Sequence, residues 1–378
     1  MEEFIDHRPT CAIIDLNNLA YNFNSVRTFV DKPLKYMAVV KADAYGHGAI
    51  ECSKRLEAEG IDWFGVALPE EGVELRKAGI RKLILCLGGF WPGQEKLVLN
   101  FNLTPVVFQI DRADLLDRTA KERGTVAAIH VKIDTGMGRI GIRHDAVSEF
   151  AAALNRFHNL RVEGMMTHLA AADDLSQNEF TDLQVSRFNS AVEAFREHGH
   201  KPAYLDIANS PGTVAHPNAL GNMVRLGGVL YGLGGDVLPK GIEKPELRPV
   251  LSLVTRIALI KDVYAGETLG YGRTFTAHDR MRVATLPIGY QDGFLRALSN
   301  KGRVIVRGEY APVVGRVSMD WTMVDVTSIA GACEGDDVTV IGEDGTRRIL
   351  AEDIASMTDS ISYEITCGID RRVPRLFR

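Results

Sequence analysis

A chain of 378 residues, 46% hydrophobic and 25% charged, is long enough for one large domain plus a smaller one and has an ordinary globular composition. Its formal net charge of -5 gives no electrostatic footprint for nucleic acid, and no uninterrupted apolar stretch approaches the length of a membrane span. Met1-Glu2-Glu3 opens an acidic N-terminus without an apolar core, and Cys11, Cys52, Cys86, Cys333 and Cys367 are scattered without metal-ligand spacing, so free thiols in a reducing cytoplasm are expected.

Short apolar runs alternate with helix-period segments from about residue 34 to 232. Eight strands are expected: Tyr36–Lys41, Trp63–Ala67, Lys82–Leu87, Thr104–Phe108, Ile129–Ile133, Val162–His168, Ala203–Asn209 and Met223–Val229. Helical spacing falls between them, as in Ala49–Glu59, Glu70–Ala78, Arg112–Arg123, Ala146–Phe157 and Glu179–His198. The strand runs are apolar without strict alternation, as when both faces are buried. Eight strands in β-then-α order give an α/β fold with a parallel (β/α)8 barrel of the TIM type.

Pro239, Gly241, Pro245 and Pro249 then mark a linker. Beyond it, Leu251–Ile260, Met281–Ile288, Arg303–Val306, Ala311–Val317, Thr322–Val326 and Val338–Ile341 are expected strands, and Ile349–Met357 an expected helix. The expected domains are therefore a barrel over 12–245 and a mostly β domain over 246–378, with residues 1–11 associating with the second.

Barrel enzymes carry their chemistry at the C-terminal ends of the strands. Lys41 ends the first strand and enters the Gly-rich run Ala44-Tyr45-Gly46-His47-Gly48. A desolvated lysine there becomes a nucleophilic amine of the kind that forms a Schiff base with pyridoxal phosphate (PLP); the alternative is a lysine that caps the strand and reaches water. Lys132 lies on the fifth strand with Arg139 beyond a Gly-Met-Gly turn, and a structural ion pair is an equal reading of Lys132 alone. His168 follows strand six, Asn209-Ser210 strand seven, and Arg225 with Gly227-Gly228 strand eight. The last two loops combine glycines and a serine hydroxyl where barrels often hold phosphate, although a tight turn explains any one glycine.

The runs VVKADAYGHG at 39–48, HVKIDTGMGRIG at 130–141, MTHLA at 166–170, ANS at 208–210, MVRLGG at 223–228, GYGRTFTA at 270–277, LPIGYQDG at 286–293 and VGRVSMDW at 314–321, with Ser362-Tyr363-Glu364, span nearly the whole chain. In this order and spacing they resemble the bacterial alanine racemases, PLP enzymes built from a barrel and a β domain. The resemblance implies a cytoplasmic head-to-tail homodimer that interconverts L- and D-alanine and supplies D-alanine for peptidoglycan. Lys41 would hold PLP and act as one base; Tyr271 of the second subunit would be the other. Arg225 would hydrogen-bond the pyridine nitrogen, with His168 supporting it. Tyr45, Asn209, Ser210, Gly227, Gly228 and Tyr363 would bind the cofactor, largely at its phosphate. Arg139 would contact cofactor and substrate carboxylate, oriented by a carbamylated Lys132. The Met319 backbone would bind substrate, and Asp173, Tyr290, Arg296, Arg316 and Asp320 would line the access route. Ser318 and Trp321 depart from the cysteine and glutamine of many members. A PLP-dependent decarboxylase and a non-catalytic PLP-binding barrel are the rival readings; Tyr271 and the β domain argue against the latter.

Overall fold

The computed structural model describes residues 8–378. Eight parallel strands close a barrel: Lys35–Val39, Trp63–Val66, Leu83–Cys86, Thr104–Val107, Ala127–Asp134, Leu160–Met166, Tyr204–Asp206 and Met223–Leu226. Strand one pairs with strand eight and strand four with strand five, which closes the ring. Each expected strand is present; the fifth is longer at both ends and the others are shortened or shifted by a few residues. Most lose their C-terminal residues, because those leave the ladder to form the functional loops.

Met37, Trp63, Leu85, Val106, Met166 and Met223 come from different strands and form a cluster separate from the main core. They fill the barrel interior. Helices Ala49–Ala58, Pro69–Lys77, Ile110–Glu122, Val147–Leu154 and Asn178–Glu197 cover its outside within two residues or so of their expected places, except that Val147–Leu154 ends earlier. A further helix, Leu16–Val30, was not among the named segments; the Asp15 carboxylate caps it by accepting from Asn17 N at 3.0 Å and Asn18 N at 2.9 Å.

The second domain is mostly β. Its main sheet runs in the order Glu309–Pro312, Arg303–Val306, Asp337–Asp344, Leu251–Arg256, Cys11–Ile14, Arg375–Phe377. Cys11–Ile14 pairs antiparallel with the strand at 251–256 and parallel with the one at 375–377, so the expected barrel boundary at residue 12 falls inside a strand of the other sheet. Residues 1–7 lie outside the described residues, and the expected association of that segment extends to them. The expected strand Leu251–Ile260 is two strands, Leu251–Arg256 and Leu259–Val263, in different sheets. The expected strand Ala311–Val317 stops at Pro312, which has no N–H, and Gly315 then turns the chain at φ 77°.

Among the described residues no helix is long and apolar enough to cross a membrane.

Candidate active site

The C-terminal mouth of the barrel opens into a cavity of about 680 Å³ lined by Lys41, Tyr45, Lys132, Arg139, His168, Asp173, Asn209, Ser210, Arg225, Gly227 and Tyr363. Apart from Tyr363, which comes from the second domain, these residues lie at or just beyond barrel strand ends far apart in sequence, and the fold brings them together as the barrel reading expects.

Lys41 sits two residues past the first strand, half-buried. Burial first, then the Arg139 guanidinium, pulls its amine below the ordinary lysine range, so more of it is neutral and nucleophilic. The turn after it is left-handed: Ala42, Asp43, Ala44 and Tyr45 have φ of 52°, 53°, 54° and 55°. Residues with a Cβ pay roughly 1–2 kcal/mol each in this region. Tertiary contacts hold them there. Ala42 N donates to Glu71 Oε1 at 2.8 Å, Ala49 N to Asp43 Oδ1 at 2.7 Å, and Arg375 Nε to Gly46 O at 3.1 Å. Glu71 also accepts from Ala67 N at 2.6 Å, linking the first and second strand ends.

The left-handed turn swings Tyr45 toward the loops after strands seven and eight. A Cβ on Gly227 would stand 2.9 Å from Tyr45 Oη and 3.7 Å from Ser210 Oγ; one on Gly228 would stand 2.6 Å from Tyr363 Oη. Gly227 N donates to Ser210 Oγ at 2.8 Å. Burial pushes both tyrosine hydroxyls up, so each remains a protonated donor. Hydroxyls and side-chain-free backbone thus converge on one place, which is what a phosphate needs. The Asn209 side chain braces this loop, accepting from Gly212 N at 3.0 Å and donating to Leu169 O at 3.3 Å. Tyr363 arrives from the second domain on a helix tied to the barrel by Asp236, which accepts from Ser362 N at 2.6 Å and from Ser362 Oγ at 2.7 Å.

Arg225 lies deeper. Its Nη2 donates to Thr167 O at 3.0 Å and Ile207 O at 3.2 Å and stands 3.3 Å from His168 Nδ1. Burial, followed by Arg225, drives the His168 imidazole down to about 2, so the ring is neutral. Arginine only donates, which makes Nδ1 the acceptor and puts the ring proton on Nε2. Lys132 is buried with Nζ 3.5 Å from Thr167 O; burial, then Arg225, pulls its amine down to about 7. Arg139 is returned to the mouth by a turn in which Gly136 N and Gly138 N both donate to Asp134 Oδ1 at 3.0 Å.

The remaining expected residues divide. Asp173 lines the cavity. Tyr271, Tyr290, Arg296, Arg316, Met319 and Asp320 belong to the second domain and do not line it within one chain. Tyr271 stands on a turn, Tyr271–Arg273, at the tip of the hairpin Thr268–Leu269/Phe275–Thr276. It is 73% exposed, beside Arg316, which a Cβ on Gly272 would meet at 2.9 Å. Tyr290 N donates to Ser318 O at 3.0 Å, and Arg372 donates to Asp320 Oδ1 at 2.8 Å. The Ser318 hydroxyl closes its own turn, donating to Trp321 O at 2.9 Å.

Sequence reading missed Glu71, Asp206, Asp236 and Cys367. Asp206 carried a usable signal, a carboxylate inside the apolar run Tyr204-Leu205-Asp206-Ile207-Ala208. Glu71 carried none, because it is exposed helix surface in sequence terms and acquires its role only through the fold.

A strand-end lysine with a lowered pKa facing an anion cradle, in a barrel completed by a β domain, defines an enzyme of the two-domain barrel class. The family model for the alanine racemase N-terminal domain matches residues 14–234, and that for the C-terminal domain residues 250–377. An alanine racemase of Geobacter sulfurreducens is 45% identical over 378 residues, covering 99% of this chain and 98% of its own. The alanine racemase structure of Clostridium difficile 630 superposes with a TM-score of 0.93 at 37% identity, covering 99% and 96% of the two chains. That of Bartonella henselae, described with covalently bound pyridoxal phosphate, gives 0.87 at 27% identity, covering 98% and 100%. The chain belongs to the alanine racemase family: it is an isomerase, and its reaction is the racemisation of alanine.

Proposed function

We propose that this enzyme binds PLP on Lys41 and moves the alanine Cα proton between Lys41 on one face and Tyr271 of the partner subunit on the other, making D-alanine for peptidoglycan in the cytoplasm. The convergence of Tyr45, Ser210, Gly227, Gly228 and Tyr363 across the cavity from a half-buried lysine carries the reading. The donor set fits PLP: two tyrosine hydroxyls and side-chain-free backbone for the phosphate, an amine for the aldehyde, and a fixed guanidinium for the ring nitrogen.

When bound, PLP draws electron density from the substrate Cα and so makes its proton removable. The side chains do the rest. Lys41 Nζ, unprotonated more readily than an ordinary lysine, accepts or returns that proton on its face. Tyr271 Oη serves the opposite face, and exchange of roles between the two reverses the reaction. Arg225 is donor-only, so it can hydrogen-bond a ring nitrogen without protonating it. Arg139 holds the substrate carboxylate, and the Met319 backbone meets it from the second domain.

The test is incubation of PLP-loaded enzyme with L-alanine in D2O, with borohydride reduction of a parallel sample. D-alanine carrying deuterium at Cα is expected, with the reduced cofactor on the peptide containing Lys41. Carbon dioxide release without D-alanine would instead establish a decarboxylase, and label on Lys132 or Lys35 would overturn the assignment of Lys41.

Lys132 has a separate role in this reading. With its amine drawn down to about 7, it is neutral often enough to attack carbon dioxide. An N–C bond forms, a proton leaves, and the resulting carbamate anion orients Arg139. Misplacing a carboxylate-binding group costs about 10²-fold. Lys132→Ala should therefore lose activity on that scale, with partial recovery on adding small carboxylates; unchanged kinetics would sink the carbamate.

A further inference from the structure

Asp206 ends the seventh barrel strand and is fully buried, yet it does not line the cavity. Its carboxylate ion-pairs with the Arg225 guanidinium of strand eight, and the two side chains are 0% and 3% exposed. Met223 is paired with Asp206 across the two strands. Residues two apart in a strand share a face, which puts Arg225 on the same inward face one step nearer the mouth. Asp206 therefore meets Arg225 from beneath, on the side away from the cavity that Arg225 lines.

In the unmodified chain the ionisable groups around this pair are nitrogen bases and guanidinium groups. Strand five brings Lys132 to Asp206, and the loop after strand six brings His168 to Arg225. His130, two residues before Lys132 on the same inward face, has an imidazole that burial and then Arg225 hold down to about 3. Arg139 and Lys41 add positive charge at the mouth. Among the described residues Asp173 and Asp236 are the carboxylate side chains that line the cavity, and Asp206 is the carboxylate that ion-pairs with Arg225. A buried guanidinium without a partner is strongly unfavourable, and Asp206 is the partner it has.

We propose that Asp206 is a positioning residue for racemisation: its carboxylate holds Arg225 oriented and charge-balanced at the wall of the cavity, and so sets the protonation equilibrium of the groups that share it. The inference rests on the cofactor reading. Removing a negative charge from this group disfavours every neighbouring cation, so groups that bind a proton to become cationic release it at lower pH.

The experiment compares wild-type, Asp206→Asn and Asp206→Glu enzymes. The readouts are the spectrophotometric pH titration of bound PLP, PLP affinity of the apoprotein, and kcat and KM. Asp206→Asn should move the titration midpoint down by about one pH unit, a tenfold change in that equilibrium. Its PLP affinity should fall about tenfold and kcat should fall with KM nearly unchanged. Asp206→Glu, which keeps the charge, should return the midpoint toward wild type. A merely structural role would reduce the yield of folded protein and leave the midpoint where it was. Should Asp206→Asn fail to fold, Asp206→Ser, smaller and equally neutral, takes its place with the same readouts, and a midpoint and kcat equal to wild type would overturn the proposal. A wild-type enzyme that takes up no PLP on Lys41 would refute the cofactor reading. A wild-type enzyme that does, beside an Asp206→Asn variant with the same midpoint and kcat, would refute this inference alone.

Discussion

Mixing two inactive enzymes, Lys41→Ala and Tyr271→Phe, should restore activity once their subunits exchange. On the proposed mechanism each variant alone lacks one of the two proton-transferring groups, and loss of a general acid–base group costs about 10²–10⁴-fold. Tyr271 is 73% exposed on its hairpin tip, with Tyr290, Met319 and Trp321 exposed at 39%, 50% and 48% in the neighbouring turns. Large apolar side chains grouped in this way are what a subunit interface covers. In a two-fold dimer each site then takes Lys41 from one chain and Tyr271 from the other. A heterodimer concentrates both lesions in one site and leaves the second intact, so up to half of the wild-type activity per heterodimer returns. If Tyr271 served its own chain, every heterodimer site would carry one lesion and nothing would return. Native mass spectrometry that shows exchange without recovered activity would rule out the shared site.

Gly228→Ala should release the cofactor. A Cβ at this position would stand 2.6 Å from Tyr363 Oη and 2.7 Å from Tyr363 Cε1. The ring cannot yield easily, because its helix is tied to the barrel through the two Asp236 hydrogen bonds to Ser362. Tyr363 then leaves its place over the cradle, and the hydrogen bond it gives to the phosphate on the proposed cofactor reading is lost, worth about 1.5–3 kcal/mol. That corresponds to a PLP dissociation constant weaker by roughly 10- to 150-fold. Equilibrium dialysis of the apoprotein against PLP measures it. Wild-type affinity in Gly228→Ala would mean that the phosphate binds elsewhere.

The barrel was legible because its signals are local. Apolar runs such as Trp63–Val66 and Leu83–Cys86, separated by segments of helical spacing, identify parallel strands and their connections without knowledge of what packs on them. Since barrel chemistry gathers at strand ends, the same reading located Lys41, Lys132, His168, Ser210 and Arg225, and these meet in one cavity. Strand ends were less legible, because a residue such as Ile207 or Ala208 is apolar whether it continues the ladder or turns into a loop.

The sequence by itself therefore determined the order of the eight barrel strands, the two-domain organisation and the residue types at the mouth of the barrel, which follow from periodicity and from motifs within a few residues. Only the tertiary structure decided how those residues are held. Ala42–Tyr45 look like the start of an ordinary turn, and they are left-handed because Glu71 accepts from the Ala42 N–H and Arg375 holds the carbonyl of the adjoining Gly46, both from other segments. Tyr363 reaches Gly228 because the last helix docks on the barrel. Cys11–Ile14 joins the second sheet because its partners begin at Leu251 and Arg375. Asp206 becomes the counter-charge of Arg225 only when strands seven and eight fall into register. Each of these depends on contacts between residues far apart in the chain, which no local pattern records.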